Sequence, residues 1–563
     1  MTDYDYVIVG GGAAGCVLAN RLSASGRNRT LLLEAGADLI PGREPADIRN
    51  VFPLSSFNER YLWPDTYVHW RRRNSPAVPH PQGRIMGGSS QIMAMFAVRG
   101  HPQDFDGWAA GGATGWDWEG VLPYFRRLET DVDFGGPLHG SEGPLPIRRE
   151  RKDAWGPVAR TIHEATLRRG WADIADMNAD FADGHCALPV SREENARASA
   201  GLHYLTASVR RRTNLDVRGD CAVERLVIED GTVAGVEAAE NDRPRETIRA
   251  RTTIVTAGAL RSPVLLMRSG IGPATQLRDA GIAVVHDLPG VGQNLQNHAI
   301  LYVVGMLTRA GLDPPGWRSA SATYLRWSSG VADMPPADMA MYVRSYLTWH
   351  ALGRRMASLA PCLMRPVSRG RISLDPADPW ANPCIEFDLL ADVRDRQRME
   401  NGVRLAVVLF GELEARGIAG PPVVLTHASA LARYNSLSRL NAIRAGAAAL
   451  MLDIAPSLGR AVVNRHAKTI SAATLIADDA ALTAFVESAV SGTGHVCGTC
   501  RMGGKEYRQA VVNSMGAVHG VPGLMVADAS VMPNVPSGNT HIPTVMVAEK
   551  IAAGLTGDHA LRI

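Results

Sequence analysis

Residues 4–34, YDYVIVGGGAAGCVLANRLSASGRNRTLLLE, constrain the fold more tightly than any other stretch of the chain. Tyr4 to Val9 predicts a short buried strand, and Gly10, Gly12 and Gly15 follow it in G-x-G-x-x-G spacing. A helix opening at Ala13 and Ala14, with apolar Val17, Leu18 and Leu22, comes next, and a second strand ends at Glu34. Each part has a task. Gly10 permits a tight turn, Gly12 lets backbone N–H groups approach a pyrophosphate, and Gly15 lets helix and strand pack closely. The free N–H groups and dipole of the helix N-terminus favour the anion. Glu34, with Ala35 beside it, stands where a carboxylate takes the hydroxyls of an adenosine ribose and repels a 2′-phosphate. A plain glycine-rich turn would lack this order of strand, helix, strand and acid.

The motif alone does not choose between FAD and NAD. No second complete fingerprint follows, which disfavours a reductase fed by NAD(P)H. One tightly held dinucleotide that takes electrons directly from a substrate is the simpler arrangement. With 563 residues the chain is long enough for more than one domain. Its net charge of +3 gives no argument for nucleic acid. No window of about 18 uninterrupted apolar residues predicts a spanning helix, and the N-terminus enters a strand without the pattern of a signal peptide. Seven scattered cysteines fit free thiols in a reducing cytoplasm better than a disulfide framework.

The stretch SGTGHVCGTCRMGG at 491–504 poses a question of chemistry: His495, Cys497 and Cys500 could form a metal knuckle, a redox dithiol, or a base beside two incidental thiols. A structural zinc site needs four ligands, and only one Cys-x-x-Cys unit exists here. A thioredoxin-type dithiol sits at a helix N-terminus within its own βαβ unit, a pattern absent from this glycine-bracketed run. No metal site is expected.

Four further stretches decide the matter. GRIMGGSSQIMAMFAVRGHPQDFDGW (83–108), TAGALRSPVLLMRSGIG (256–272), DLPGVGQNLQNH (287–298) and VADASVMPNVPSGNTHIPTVMVAEKIA (526–552) together resemble the signatures of the glucose–methanol–choline (GMC) oxidoreductases, which are FAD enzymes. The resemblance runs over nearly the whole chain and is nearest to bacterial oxidases of 5-hydroxymethylfurfural and related aryl alcohols. It implies cofactor contacts at Arg84, Gly87, Gly88 and Ser89, a loop whose small residues let backbone approach a planar ring, and at Met93, Ala94 and Met95. It extends them to Val223, Ala257, Gly258, Asp528, Ala529, Asn539, Thr540, His541 and Ile542. Two departures stand out. Met93 occupies a position where the family usually has Asn near flavin N5. Ile92 occupies the place of the His that carries a covalent flavin, so FAD is expected to be non-covalent.

The same resemblance makes His495 the active-site base and His541 its partner, a position the family fills with Asn or His. Oxidising an alcohol removes a proton from oxygen and a hydride from carbon, and an imidazole suits the proton near neutral pH. His101, His139 and His298 also lie in motifs but are expected to serve structure. Gly494 stands where the furfural-type oxidases carry Trp, which predicts room for bulkier alcohols.

The expected fold is α/β (α+β): a Rossmann-like FAD-binding domain from residues 1–150, 195–298 and 490–563, and a substrate-binding domain from 151–194 and 299–489 on an antiparallel or mixed sheet with helices. Strands near Asp216–Val223 and Leu226–Val236 should flank a hairpin turn at EDG, and 368–390 should supply strands of the substrate-domain sheet. Segment 421–470 reads as helical and basic, with Arg433, Arg439, Arg444, Arg460, Arg465 and Lys468 against the single acid Asp453. It is expected to be a solvated helical hairpin, with contact to a membrane surface the lesser alternative. The expected activity is oxidation of a primary, aryl- or furan-type alcohol, with O2 or a quinone as electron acceptor. A hydroxynitrile lyase using the same histidines, and a quinone-linked, choline dehydrogenase-like enzyme of aliphatic alcohols, are the alternatives.

Overall fold

The computed structural model describes residues 3–72, 75–240, 244–425, 435–467 and 469–558. Strand Tyr4–Val9 lies in a seven-stranded sheet between Thr30–Leu33 and Glu246–Val255, all parallel. Leu215–Arg218 extends the sheet beyond Thr30–Leu33, and Leu524–Val526 pairs in parallel with the C-terminal half of Glu246–Val255. Val7, Ile8, Leu31 and Leu32 are fully buried, as parallel strands covered on both faces require.

The turn after the first strand shows why glycine is needed. Gly10 has φ +107°, and a Cβ there would lie 2.6 Å from the Thr256 carbonyl oxygen. A Cβ at Gly15 would overlap the Gly10 carbonyl, so helix Ala13–Ser23 reaches the strand only because Gly15 has none.

That helix packs on the C-terminal helix His541–Thr556. Arg21 donates from Nε and Nη2 to the Glu549 carboxylate, at 2.9 and 2.7 Å, and Tyr204 Oη donates to the same group at 2.6 Å. Arg127 adds an ion pair at 3.3 Å. Glu549 has no exposed surface, so these donors compensate a charge taken entirely out of water.

The second sheet has ten strands and is mostly antiparallel. Its centre runs Val303–Met306, Met356–Leu363, Met339–Arg344, Thr323–Trp327 and Gly184–Ala187. Helix Val393–Ala415 covers it together with Pro157–Arg168. Two very short strands, Ala299–Ile300 and Ser491–Gly492, pair with each other at its margin. The second of these belongs to this sheet although it falls within the piece 490–563 expected in the nucleotide-binding domain.

Two expectations need revision. The strands of 368–390 exist, as Arg371–Ser373 and Cys384–Glu386, but they join Tyr67–His69 and Ala77–Pro79 in a separate four-stranded sheet. Trp70 and Phe387 draw them there, with ring centroids 5.1 Å apart, and Phe387 N–H donates to the His69 carbonyl. The stretch Asp216–Val223 is not one strand. It breaks at Gly219–Asp220, where Asp220 takes φ +52° and donates its N–H to the Gly36 carbonyl. The hairpin is therefore Cys221–Glu229 with Thr232–Glu240, turned by Asp230 and Gly231, both with positive φ. In 421–470 the described helices are Arg439–Ile454 and Pro456–Ala467, while Arg433, Lys468 and the rest of 426–434 lie outside the described residues. Ala445, Ala449 and Leu452 of this segment are buried, but Leu440, Ile443, Leu450 and Ile454 face solvent. No helix among the described residues is long and apolar enough to cross a membrane.

Replacing Glu549 by Ala should lower unfolding stability by about 3–5 kcal/mol, because Arg21 and Tyr204 lose a buried partner. Denaturant unfolding of the variant checks this, and a change under about 1 kcal/mol would mean that the network is dispensable.

Candidate active site

One cavity of about 730 Å³ collects most of the residues singled out in the sequence. Its walls include Gly10, Gly12, Ala13 and Ala14 of the first turn, Glu34 and Ala35 of the second strand end, and Val223 of the hairpin. Gly88, Ser89, Met93, Ala94 and Met95 line it too, with Ala257, Gly258, Asp528 and Ala529. Asn539, Thr540 and His541 complete that set, and His495 faces the same space.

Gly15, Arg84, Gly87 and Ile542 are not in the walls. Gly15 is the helix–strand contact described above. Arg84 turns away, donating from Nε to the Ala35 carbonyl at 3.2 Å and lying over the Trp63 ring. Gly87, at φ +93°, donates its N–H to the Gly11 carbonyl. Ile542 is buried in the core. These four act behind the walls. A Cβ at Gly88 would lie 2.8 Å from Gly12 Cα, so the two glycine loops touch directly.

The walls fit a dinucleotide. Glu34 holds its carboxylate by accepting from Gly11 N–H at 2.8 Å and Gly36 N–H at 2.9 Å. Burial nevertheless pushes its pKa up to about 7, the state of a carboxylate short of donors. Ribose hydroxyls would supply them. Asp528 accepts from Gly258 N–H at 2.8 Å and Ser262 Oγ at 2.6 Å, pinning the C-terminal loop to the Gly258 turn. Helix His541–Thr556 begins at the cavity and turns the positive end of its dipole toward it.

His495 is positioned by backbone pairing between distant segments. Residues 296–300 run antiparallel to 491–497: Gln296 and Cys497 exchange N–H···O bonds, Thr493 N–H donates to the His298 carbonyl, and Ala299 faces Gly492. Asn297 Oδ1 accepts from His495 N–H at 3.0 Å. This brings the His298 and His495 rings nearly perpendicular, with Nδ1 to Nδ1 at 2.8 Å.

The protons follow from the network. Tyr342 Oη donates to Asn539 Oδ1 at 3.4 Å, so Asn539 turns its amide NH2 to His495 Nε2 at 3.0 Å. Nε2 then carries the lone pair, and Nδ1–H donates to His298. Burial holds His495 down to about 4. His541 is held down to about 3, first by burial and then by the Arg197 charge. Both are neutral near pH 7. Nε2 of His541 is buried without a partner among the described residues.

Three features were not legible beforehand. His298, expected to be structural, touches His495 directly. Asn539, expected as a cofactor contact, is the hydrogen-bond partner of His495 Nε2. Arg197 went unnoticed: it is buried, donates from Nη1 to the Met93 carbonyl at 2.6 Å, and is pushed down to about 9 by burial. His101 caps helix Pro102–Ala110, and His139 sits among Asp131, Asp176 and Glu129. Glu129, Asp131 and His139 form the one cluster among the described residues whose ligating atoms converge as a metal would need. Arg99 and Arg149 already neutralise those carboxylates. Cys497 and Cys500 are free, buried thiols, both pushed upward by burial. A Cβ at Gly494 would meet nothing within 4 Å, but its φ of +86° strains any larger residue.

Comparison with known proteins bears on this site. The GMC oxidoreductase family matches twice, its N-terminal part over residues 4–300 and its C-terminal part over 366–548. The chain is 39% identical to the 5-(hydroxymethyl)furfural oxidase of Methylovorus sp. (strain MP688), covering 98% of this chain and 99% of that one. It is 30% identical to the oxygen-dependent choline dehydrogenase of Photobacterium profundum, over 100% and 94%. Among solved structures it matches pyridoxine 4-oxidase from Mesorbium loti with a TM-score of 0.80 and 28% identity, over 99% of both chains. With the dinucleotide cavity and the buried imidazoles, these matches establish that the chain belongs to the GMC oxidoreductases, a family of FAD-dependent enzymes.

Proposed function

We propose that this chain oxidises a primary alcohol of aryl or furan type to the aldehyde, with His495 as the base. The observation that carries the reading is the unprotonated Nε2 of a buried imidazole, fixed between His298 and Asn539 in the wall of the FAD cavity. His495 Nε2 accepts the hydroxyl proton once the substrate hydroxyl displaces the Asn539 amide from its lone pair, and His541 Nε2 hydrogen-bonds the same oxygen and orients the carbinol carbon. His298 takes the Nδ1–H of His495 and so holds the ring and its tautomer; it is a positioning residue. Bound FAD supplies the hydride acceptor. Gly10, Gly12, Glu34, Gly88, Ser89 and Asp528 are the residues assigned to hold it, with Met93 and Ala94 beside its ring. Ile92 in place of a linking His supports non-covalent attachment.

The carboxylates lining the cavity bear on the substrate. Glu34 and Asp528 are engaged as above, and Glu224 pairs with Arg245 at 2.8 Å. No free carboxylate among the described wall residues remains for the ammonium of a choline-like alcohol, which favours the aryl or furan reading. The oxidase and oxygen-dependent names of the relatives support O2 as acceptor, to be measured as peroxide yield against quinone-dye reduction.

Replacing His495 by Ala should lower kcat/KM by about 10²–10⁴. His541→Asn should cost no more than about tenfold, one hydrogen bond's worth. His298→Phe should lower kcat with KM nearly unchanged. A base held down to about 4 stays unprotonated at every higher pH. The pH profile of kcat/KM should therefore be level down to about pH 5 and fall below it as a proton occupies Nε2; a limb near pH 7 would count against His495. Anaerobic alcohol should bleach the oxidised flavin, whereas persistent colour during turnover would establish a lyase. Glu34→Leu should weaken FAD binding by about 10- to 100-fold, and acid precipitation of the wild type should release all yellow colour to the supernatant. Colour retained in the pellet would overturn non-covalent attachment.

A further inference from the structure

Four arginines line the cavity, and three of them are answered. Arg245 pairs with Glu224. Arg261 stacks 3.7 Å over the Trp63 ring and donates from Nη2 to Thr66, although its Nε is buried without a partner among the described residues. Arg268 donates to the carbonyls of Pro379, Trp380 and Ala381. The fourth, Arg344, makes no side-chain hydrogen bond or ion pair with any described residue, and its Nε is buried without a partner. The undescribed stretch 426–434 contains no Asp or Glu.

The position of this cation is as informative as its isolation. Arg344 ends strand Met339–Arg344, two residues beyond Tyr342. Residues two apart on a strand share a face and stand about 7 Å apart. Tyr342 reaches Asn539, and Asn539 reaches His495 Nε2. The guanidinium thus follows the base along one wall, beyond Tyr342 and with Tyr302 and Ile300 also in the lining. Both groups therefore face one cavity, with Tyr342 and Asn539 between them. An unanswered guanidinium at a half-buried place is costly until an anion completes it. Its planar fork matches a carboxylate in a bidentate pair.

We propose that Arg344 selects alcohols that carry a carboxylate at the end remote from the carbinol, and that it discriminates against cationic alcohols at the same place. The inference rests on the alcohol-oxidation reading and names the substrate class within it. The wild-type holoenzyme is compared with Arg344→Met and Arg344→Lys, each first checked for flavin content and melting temperature. Dissociation constants for benzoate and benzamide come from the change in flavin absorbance. Values of kcat/KM come from 4-(hydroxymethyl)benzoate and benzyl alcohol. Benzoate should bind the wild type about tenfold or more tighter than benzamide. That preference should vanish in Arg344→Met and survive in part in Arg344→Lys. The kcat/KM ratio of the two alcohols should follow, chiefly through KM. Equal binding of the two ligands to the wild type, or a benzoate preference unchanged in Arg344→Met, overturns the proposal. Turnover of neither alcohol would sink the alcohol-oxidation reading alone, because the binding comparison still decides what Arg344 does.

Discussion

The site depends on the backbone pairing of 296–300 with 491–497. Neither segment is a strand of useful length by itself; Ala299–Ile300 and Ser491–Gly492 have two residues each. Their exchange of hydrogen bonds nevertheless sets the distance between His298 and His495, and through it the tautomer of His495. The loop is tied down further at Asn297, which accepts from the His495 N–H. Catalytic placement by main-chain bonds is stiff, since moving the ring means breaking several of them together.

Burial gives that geometry its chemistry. An imidazole taken out of water loses its affinity for a proton, and His298, His495 and His541 are all shifted in that direction. A neutral imidazole is thereby present at neutral pH without any carboxylate beside it. The cost is borne elsewhere in the fold. Arg197 lies buried under the Met93 carbonyl without an acid partner among the described residues, and its charge adds to the pressure against protonating His541.

The chain's two ends meet to make this possible. Strand Leu524–Val526 lies two places from Tyr4–Val9, and helix His541–Thr556 rests on helix Ala13–Ser23 across the Arg21–Glu549 pair. Asp528, Asn539 and His541 reach the glycine turn only because that docking is specific. A buried charge answered by three donors from separate segments tolerates little displacement.

The nucleotide half was legible in the residues alone. Strand, glycine turn, helix and acid follow one another within thirty-odd residues, and their spacing is dictated by sterics that act locally: a positive φ at Gly10, no room for a Cβ at Gly15, a carboxylate at the end of the second strand. The family motifs likewise named His495 and His541. What those rings touch was settled only by the folded chain. His298 and Asn539 differ from other motif residues only in where the chain carries them, and no periodicity encodes a contact across two hundred positions. The same holds for Arg344 and Arg197, whose importance lies in having no acid partner among the described residues, a property of the space around a side chain rather than of its neighbours in sequence. The strands of 371–386 were recognisable by their alternation, but alternation fixes which face is buried, not which sheet buries it. Trp70 and Phe387 settled that by packing, a choice made only when distant apolar surfaces meet.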